Sequence, residues 1–228
     1  KSVIPGLSDK DTIEKTHKAF LDYELKAGQE NNIVRKWVEE FCQKINNLFA
    51  INIVQNINNE IIDIKAGEIK TSFYEALKIC KEIYCIEIHK YYDVVITSPG
   101  YPFDQDLYQA QKAFRHASYM TKNNGKIIVF APCDKGWGSI TFKEAVEKVI
   151  SEEDLRENFT VGAHKLLFFL EIAKKYKLYL YSNFDFKTSN VGKFLELLNK
   201  LDVTSITKEN EEIAILIGGS YLTPILKV

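Results

Sequence analysis

Hydrophobic positions change character along the chain. Up to about residue 47 they recur with helical period. Ile13, His17, Phe20 and Glu24 share one side of a stretch from Asp11 to about Leu25 that Ser8 can cap, and a second helix fits Ile33 to Ile45. Leu48–Gln55 and Glu60–Lys65 read as strands joined by the turn Asn56-Ile57-Asn58-Asn59, a hairpin signal, and a helix over about Thr71–Ile88 follows. Beyond it the apolar runs become short and continuous: Asp93–Thr97, Lys126–Phe130 and Leu178–Tyr181. Runs of that kind suit strands buried on both faces of a parallel sheet. Helical patterns over Asp106–Lys122, Phe142–Val149 and Ala163–Lys177 separate them, and another over Val191–Leu201 precedes the strand candidate Ile213–Ile217. The alternation predicts an α/β class: a Rossmann-like, mainly parallel sheet flanked by helices, with an N-terminal helical and hairpin segment. The expected division is a helical segment over 1–47, leading from a domain upstream, and an α/β domain over 48–228.

Composition narrows the picture. At 228 residues, 46% hydrophobic and 12% aromatic, the chain can bury a sizeable core and is not disordered. A formal net charge of −1 gives no general field for nucleic acid or an anionic membrane, so neither is expected as a partner. No apolar run approaches the roughly 18 residues that span a bilayer. Cys42, Cys80, Cys85 and Cys133 are too scattered for a disulfide scaffold, and the spacing of Cys80 and Cys85 misses that of zinc ribbons. Reduced cysteines and a cytoplasmic location are expected. The chain starts at Lys1 and its only methionine is Met120, so a piece of a longer protein is expected. No strand is followed by Gly-x-Gly-x-x-Gly or by a Walker loop.

The chemistry concentrates after the first continuous strand, where Ser98-Pro99-Gly100-Tyr101-Pro102-Phe103-Asp104 turns the chain into a helix. Leu107, Ala110, Phe114 and Ala117 form a stripe for the sheet, while Tyr108, Gln109, Lys112, Arg115 and His116 project away from it. Tyr108 and Lys112 stand at i,i+4 and Gln109 and Lys112 at i,i+3, so their tips can converge. A phenol, an amide and an ammonium at a helix N-terminus suit a small carboxylate, with the helix dipole adding attraction. An ordinary solvated face has the same pattern, and the residues alone favour it. If the face is a site, something must cover it.

At these residues the sequence resembles the nickel-dependent lactate racemase family. The likeness rests on Gly100-Tyr101-Pro102 with Asp104, on Tyr108-Gln109-Ala110 with Lys112, and on Lys1-Ser2-Val3-Ile4-Pro5-Gly6 followed by Thr12-Ile13 and His17. A looser match joins Phe49–Val54 to Ala66-Gly67-Glu68. It runs from Lys1 through Phe130, more weakly to about Ser182, and covers only the C-terminal portion of a family member. The resemblance implies racemisation or epimerisation of a 2-hydroxy acid by reversible hydride transfer to a nickel pincer nucleotide. It implies that Lys1 tethers this cofactor, that His17 ligates the nickel, and that Tyr108, Gln109 and Lys112 bind the substrate. The acid/base histidines belong to the family's N-terminal domain, so no catalytic residue is assigned here. That domain and the cofactor maturation enzymes are the implied partners. Read without the resemblance, His17 is a lone histidine on an apolar helix side, ordinarily a core or cleft residue.

One position departs from the family. His164, in Val161-Gly162-Ala163-His164-Lys165, stands where lactate-specific members carry a tryptophan near the substrate. A histidine and a lysine suit a second polar or anionic group, so a substrate other than lactate is expected, unless His164 simply starts a buried helix. The alternative to an enzyme is a family-like protein that binds a small hydroxy acid or a nucleotide without catalysis.

Overall fold

Asp9, rather than Ser8, starts the first helix. Its carboxylate accepts the Thr12 N–H at 2.7 Å, which satisfies a donor that the first helical turn leaves open. The structure, a computed structural model, describes residues 4–148, 151–200 and 202–227. Contacts divide the chain into two compact units, Lys1–Cys85 and Ile86–Val228. The hairpin and the helix after it, placed with the sheet by the sequence pattern, therefore go with the first unit.

In that unit α1 (Lys10–Asp22) and α2 (Ile33–Cys42) bury Ala19, Leu25 and Val34, with Phe20, Ile33 and Trp37 packed around them. The antiparallel hairpin of β1 (Phe49–Gln55) and β2 (Ile61–Glu68) turns where expected. The Asn56 side-chain oxygen accepts the N–H groups of Asn58 and Glu60 at 2.9 and 3.0 Å, so a short polar side chain holds the reversal. Helix α3 (Ile69–Tyr84) packs on both strands. It stops short of the expected Ile88 because Cys85–Ile88, rich in β-branched residues, forms β3 and pairs with β9 (Thr223–Leu226).

The second unit is built on a five-stranded parallel sheet in the order β7-β6-β5-β4-β8. Its strands are β4 (Tyr92–Thr97), β5 (Thr121–Phe130), β6 (Lys177–Tyr181), β7 (Leu195–Leu198) and β8 (Ile213–Leu216). Ile96 lies opposite Ile128 on one neighbour and Ile215 on the other. Val94, Val95, Ile127, Ile128 and Val129 are fully buried, as continuous apolar runs demand. Helix α4 (Leu107–Ser118) joins β4 to β5, while α5 (Ile140–Lys148), α6 (Glu152–Glu157) and α7 (Ala163–Ala173) fill the path to β6.

Two further expectations change. The pattern over Val191–Leu201 does not form an α-helix. A single 3-10 turn at Val191–Lys193 leads into β7. The backbone of Lys187 lies so close that a Cβ on Gly192 would sit 2.2 Å from its carbonyl oxygen, and the run Leu195–Leu198 adds to the sheet edge instead of coiling. Likewise α4 ends at Ser118, because Thr121 already pairs with Tyr92 across the sheet. All four cysteines are free. Among the described residues no helix is long and apolar enough to cross a membrane.

Candidate functional site

The first turn of α4 is fixed by its own chain. Asp106 caps it, accepting the Gln109 N–H at 2.8 Å. The loop at 133–138 supplies the next acceptors: Leu107 N–H donates to the Gly136 carbonyl at 2.9 Å and Tyr108 N–H to that of Trp137 at 3.3 Å. Ala110 N–H donates to the Asp106 carbonyl at 3.0 Å. The dipole end expected to attract a carboxylate is thus already occupied by the Asp106 carboxylate and two carbonyls. Any anion held here is held by side chains. This loop is what positions the turn.

The apolar stripe faces inward as predicted, with Leu107, Ala110, Ala113, Phe114 and Ala117 fully buried. The polar side is half-buried, and α7 packs along α4. Tyr108 meets His164 edge-on, ring centroids 6.1 Å apart at 87°, and also meets Phe142 at 5.9 Å. Burial, helped by Asp106, pushes the Tyr108 phenol above its ordinary range and keeps it a neutral donor. Lys112 Nζ lies 4.0 Å from the centre of the Phe103 ring and Arg115 stacks 4.1 Å from that of Phe168. Gln109 Oε1 is buried and accepts no hydrogen bond from the described residues. His164, 4% exposed, starts α7 among Tyr108, Phe159 and Phe168. Tyr108, Gln109, Lys112 and His164 therefore belong to one helix pair.

Sequence reasoning named Lys165 beside His164 but missed its burial and its partner Gln111. Lys165 Nζ donates to Gln111 Oε1 at 3.1 Å and sits 5.1 Å from the Tyr108 ring centre. Burial, with repulsion from Lys112 and Arg115, pulls its ammonium down to about 7. The signal in the sequence is a lysine directly before the apolar run Leu166-Leu167-Phe168-Phe169, where a solvated charge would interrupt a buried face.

His17 lies in the other unit, half-buried on α1. Its Nδ1 is 2.7 Å from the Ile13 carbonyl, which can only accept, so Nδ1 carries the hydrogen and the neutral ring has its lone pair on Nε2. That tautomer suits a metal ligand oriented by its own helix. No group of three or more His, Cys, Asp or Glu among the described residues could hold a metal ion. Lys1 lies outside the described residues.

The second unit is an α/β unit in which α4 follows the carboxyl end of a parallel strand, the place where open α/β sheets commonly hold ligands. Within it, residues 86–165 match the lactate racemase C-terminal domain. The lactate racemase of Thermoanaerobacterium thermosaccharolyticum is 30% identical over 146 residues, 62% of this chain and 34% of that protein. That of Lactiplantibacillus plantarum is 29% identical over 145 residues, with the same shares. The match thus accounts for about a third of each curated relative. In fold, the chain is similar to the lactate racemase apoprotein of T. thermosaccharolyticum, with a TM-score of 0.79 at 23% identity, over 95% of this chain and 55% of that one. A Thermotoga maritima protein gives 0.60 at 15% identity, over 88% and 55%. The chain is thus similar to lactate racemases, and residues 86–165 match their C-terminal domain.

Proposed function

We propose that this chain is the C-terminal part of a racemase or epimerase of a 2-hydroxy acid, working with a nickel pincer nucleotide. The observation that carries the reading is that Tyr108, Gln109 and Lys112 lie within the first turns of α4, inside the stretch that matches the lactate racemase C-terminal domain. Lys112 supplies the positive charge for the substrate carboxylate, and the neutral phenol of Tyr108 supplies a directional donor. The buried Oε1 of Gln109 is an acceptor for the hydroxyl hydrogen at C2. Phe103 lies against Lys112, and Phe142 and His164 against Tyr108, so part of each group is already withdrawn from water. The cofactor, when bound, supplies the acceptor and donor of hydride. His17 would hold its nickel through Nε2, and Lys1 would tether it. The partners are the remainder of the protein and the enzymes that make the cofactor.

The test uses the full-length protein produced with those enzymes, following conversion of one enantiomer of a 2-hydroxy acid. Lys112→Ala should lower kcat/KM about 100-fold, the worth of one charge-assisted hydrogen bond. An unchanged kcat/KM would remove Lys112 from the site. His17→Ala should lose most of its bound nickel by elemental analysis, and full retention would overturn the ligand assignment.

A further inference from the structure

Two lysines among the described residues are equally buried, each 8% exposed. Lys126 is fully compensated: its Nζ donates to both carboxylate oxygens of Glu211 at 2.8 Å and to the Ile206 carbonyl at 2.6 Å. Lys165 donates to the neutral oxygen of Gln111 at 3.1 Å, and no described carboxylate forms an ion pair with it. The charged groups that act on it are Lys112 and Arg115, which repel it, and Asp106, which attracts it. Asp106 is committed to capping α4. An ammonium taken out of water without a counter-charge is costly, and a methionine of similar length would fill the same space without that cost.

Its neighbour is also incomplete. Gln111 is 1% exposed, and its Nε2 is buried with no hydrogen-bond partner among the described residues. An amide donor and an ammonium side by side, both buried, lack one thing between them: an acceptor with negative charge. At 3.6 residues per turn, Gln111 and Lys112 point about 100° apart around α4, and Tyr108 falls between them. The two ammonium groups are accordingly anchored on different sides of the phenol, one at Gln111 and the other at Phe103.

We infer that Lys165 and Gln111 form a second carboxylate subsite next to the Tyr108–Gln109–Lys112 face, so that the substrate is a 2-hydroxy acid with a second carboxylate on its side chain. Lys112 takes the carboxylate beside the reacting carbon, and Lys165 with Gln111 Nε2 takes the distal one. The near-neutral titration of Lys165 fits a group whose charge is completed by the ligand. The inference rests on the racemase reading, and its test is chosen to fail separately from that reading.

Succinate and propionate carry two carboxylates and one, and neither has a hydroxyl to react. Calorimetric titration of the full-length protein should show succinate binding at least about 10-fold more tightly than propionate. Lys165→Met should erase most of that difference, and Gln111→Leu, a milder change in case the first variant fails to fold, should reduce it. In the loaded enzyme, racemisation of malate should exceed that of lactate in kcat/KM, with Lys165→Met costing malate at least about 10-fold more than lactate. Selective succinate binding without racemisation would uphold the subsite and overturn the racemase reading. Equal binding of succinate and propionate by the unaltered protein would overturn the subsite, as would equal losses of malate and lactate turnover in Lys165→Met.

Discussion

Gly138→Ala should destabilise the second unit by about 4 kcal/mol and lower its melting temperature by roughly 10 °C, by adding one methyl group. Gly138 has φ 76°, where an alanine is strained by about 1 kcal/mol or more. The larger part is steric. A Cβ there would lie 2.1 Å from Cγ of Asp106 and 2.2 Å from its Oδ1. Asp106 cannot move aside and still accept the Gln109 N–H, so the cap on α4 is lost along with the clash. Gly136→Ala is the control. At φ 65° it bears the same kind of strain, but its Cβ would meet only the ring edge of Phe184 at 3.4 Å, so a loss of about 1 kcal/mol is expected. Urea unfolding of the three proteins separates the two contributions. Equal losses for Gly136→Ala and Gly138→Ala would show that the loop does not act through the Asp106 cap. Because that cap sets the turn bearing Tyr108 and Gln109, Gly138→Ala should also weaken succinate binding under conditions where the protein remains folded.

The same turn shows how far the sequence could be read. Val94, Val95 and Ile127–Val129 announced a parallel sheet because a strand covered on both faces has no polar positions to place. The strands at Cys85–Ile88, Leu195–Leu198 and Thr223–Leu226 were hidden, since four residues are too few to establish a period and each exists only through its pairing partner. Leu195-Glu196-Leu197-Leu198 fits a helix as well as a strand. The tight approach of Gly192 to Lys187 decides it, and no local pattern carries that contact. In the candidate site, helical spacing was enough to place Tyr108, Gln109 and Lys112 on neighbouring turns of one helix, because that placement needs no tertiary contact. Gln111 and Lys165 are 54 positions apart and meet only because α7 packs on α4. The occupied N-terminus of α4 was equally out of view, as it depends on the backbone of a loop some thirty residues downstream.

Acid should destabilise the second unit through His116 before its carboxylates titrate. Burial pulls this imidazole from 6.5 down to about 4, with Arg115 and Lys112 adding repulsion, and the carbonyls of Gly219 and Leu222 oppose the shift only in part. The ring stacks on Tyr119 at 6.0 Å, and its Nδ1 is buried with no partner among the described residues. The folded value lies below the unfolded one, so unfolding takes up a proton wherever the pH falls between them. The stability is fully present above about pH 6.5 and is lost progressively as the pH drops toward 4. At 1.36 kcal/mol per unit, roughly 2 kcal/mol should be gone by pH 5 and about 3 kcal/mol by pH 4. The carboxylates of Asp93, Glu211 and Glu212 are held below their ordinary values by lysines and backbone N–H groups, so they contribute only at the acid end of this window. Urea unfolding at pH 7.5, 6 and 5 checks the slope, and His116→Leu should flatten it while keeping the ring's apolar volume. If the variant lost stability between pH 6.5 and 5 as steeply as the parent, His116 would not be its source. The consequence for the candidate site follows because His116 shares α4 with Tyr108, Gln109 and Lys112: a charge forced onto a buried ring works against the packing that holds this helix in place.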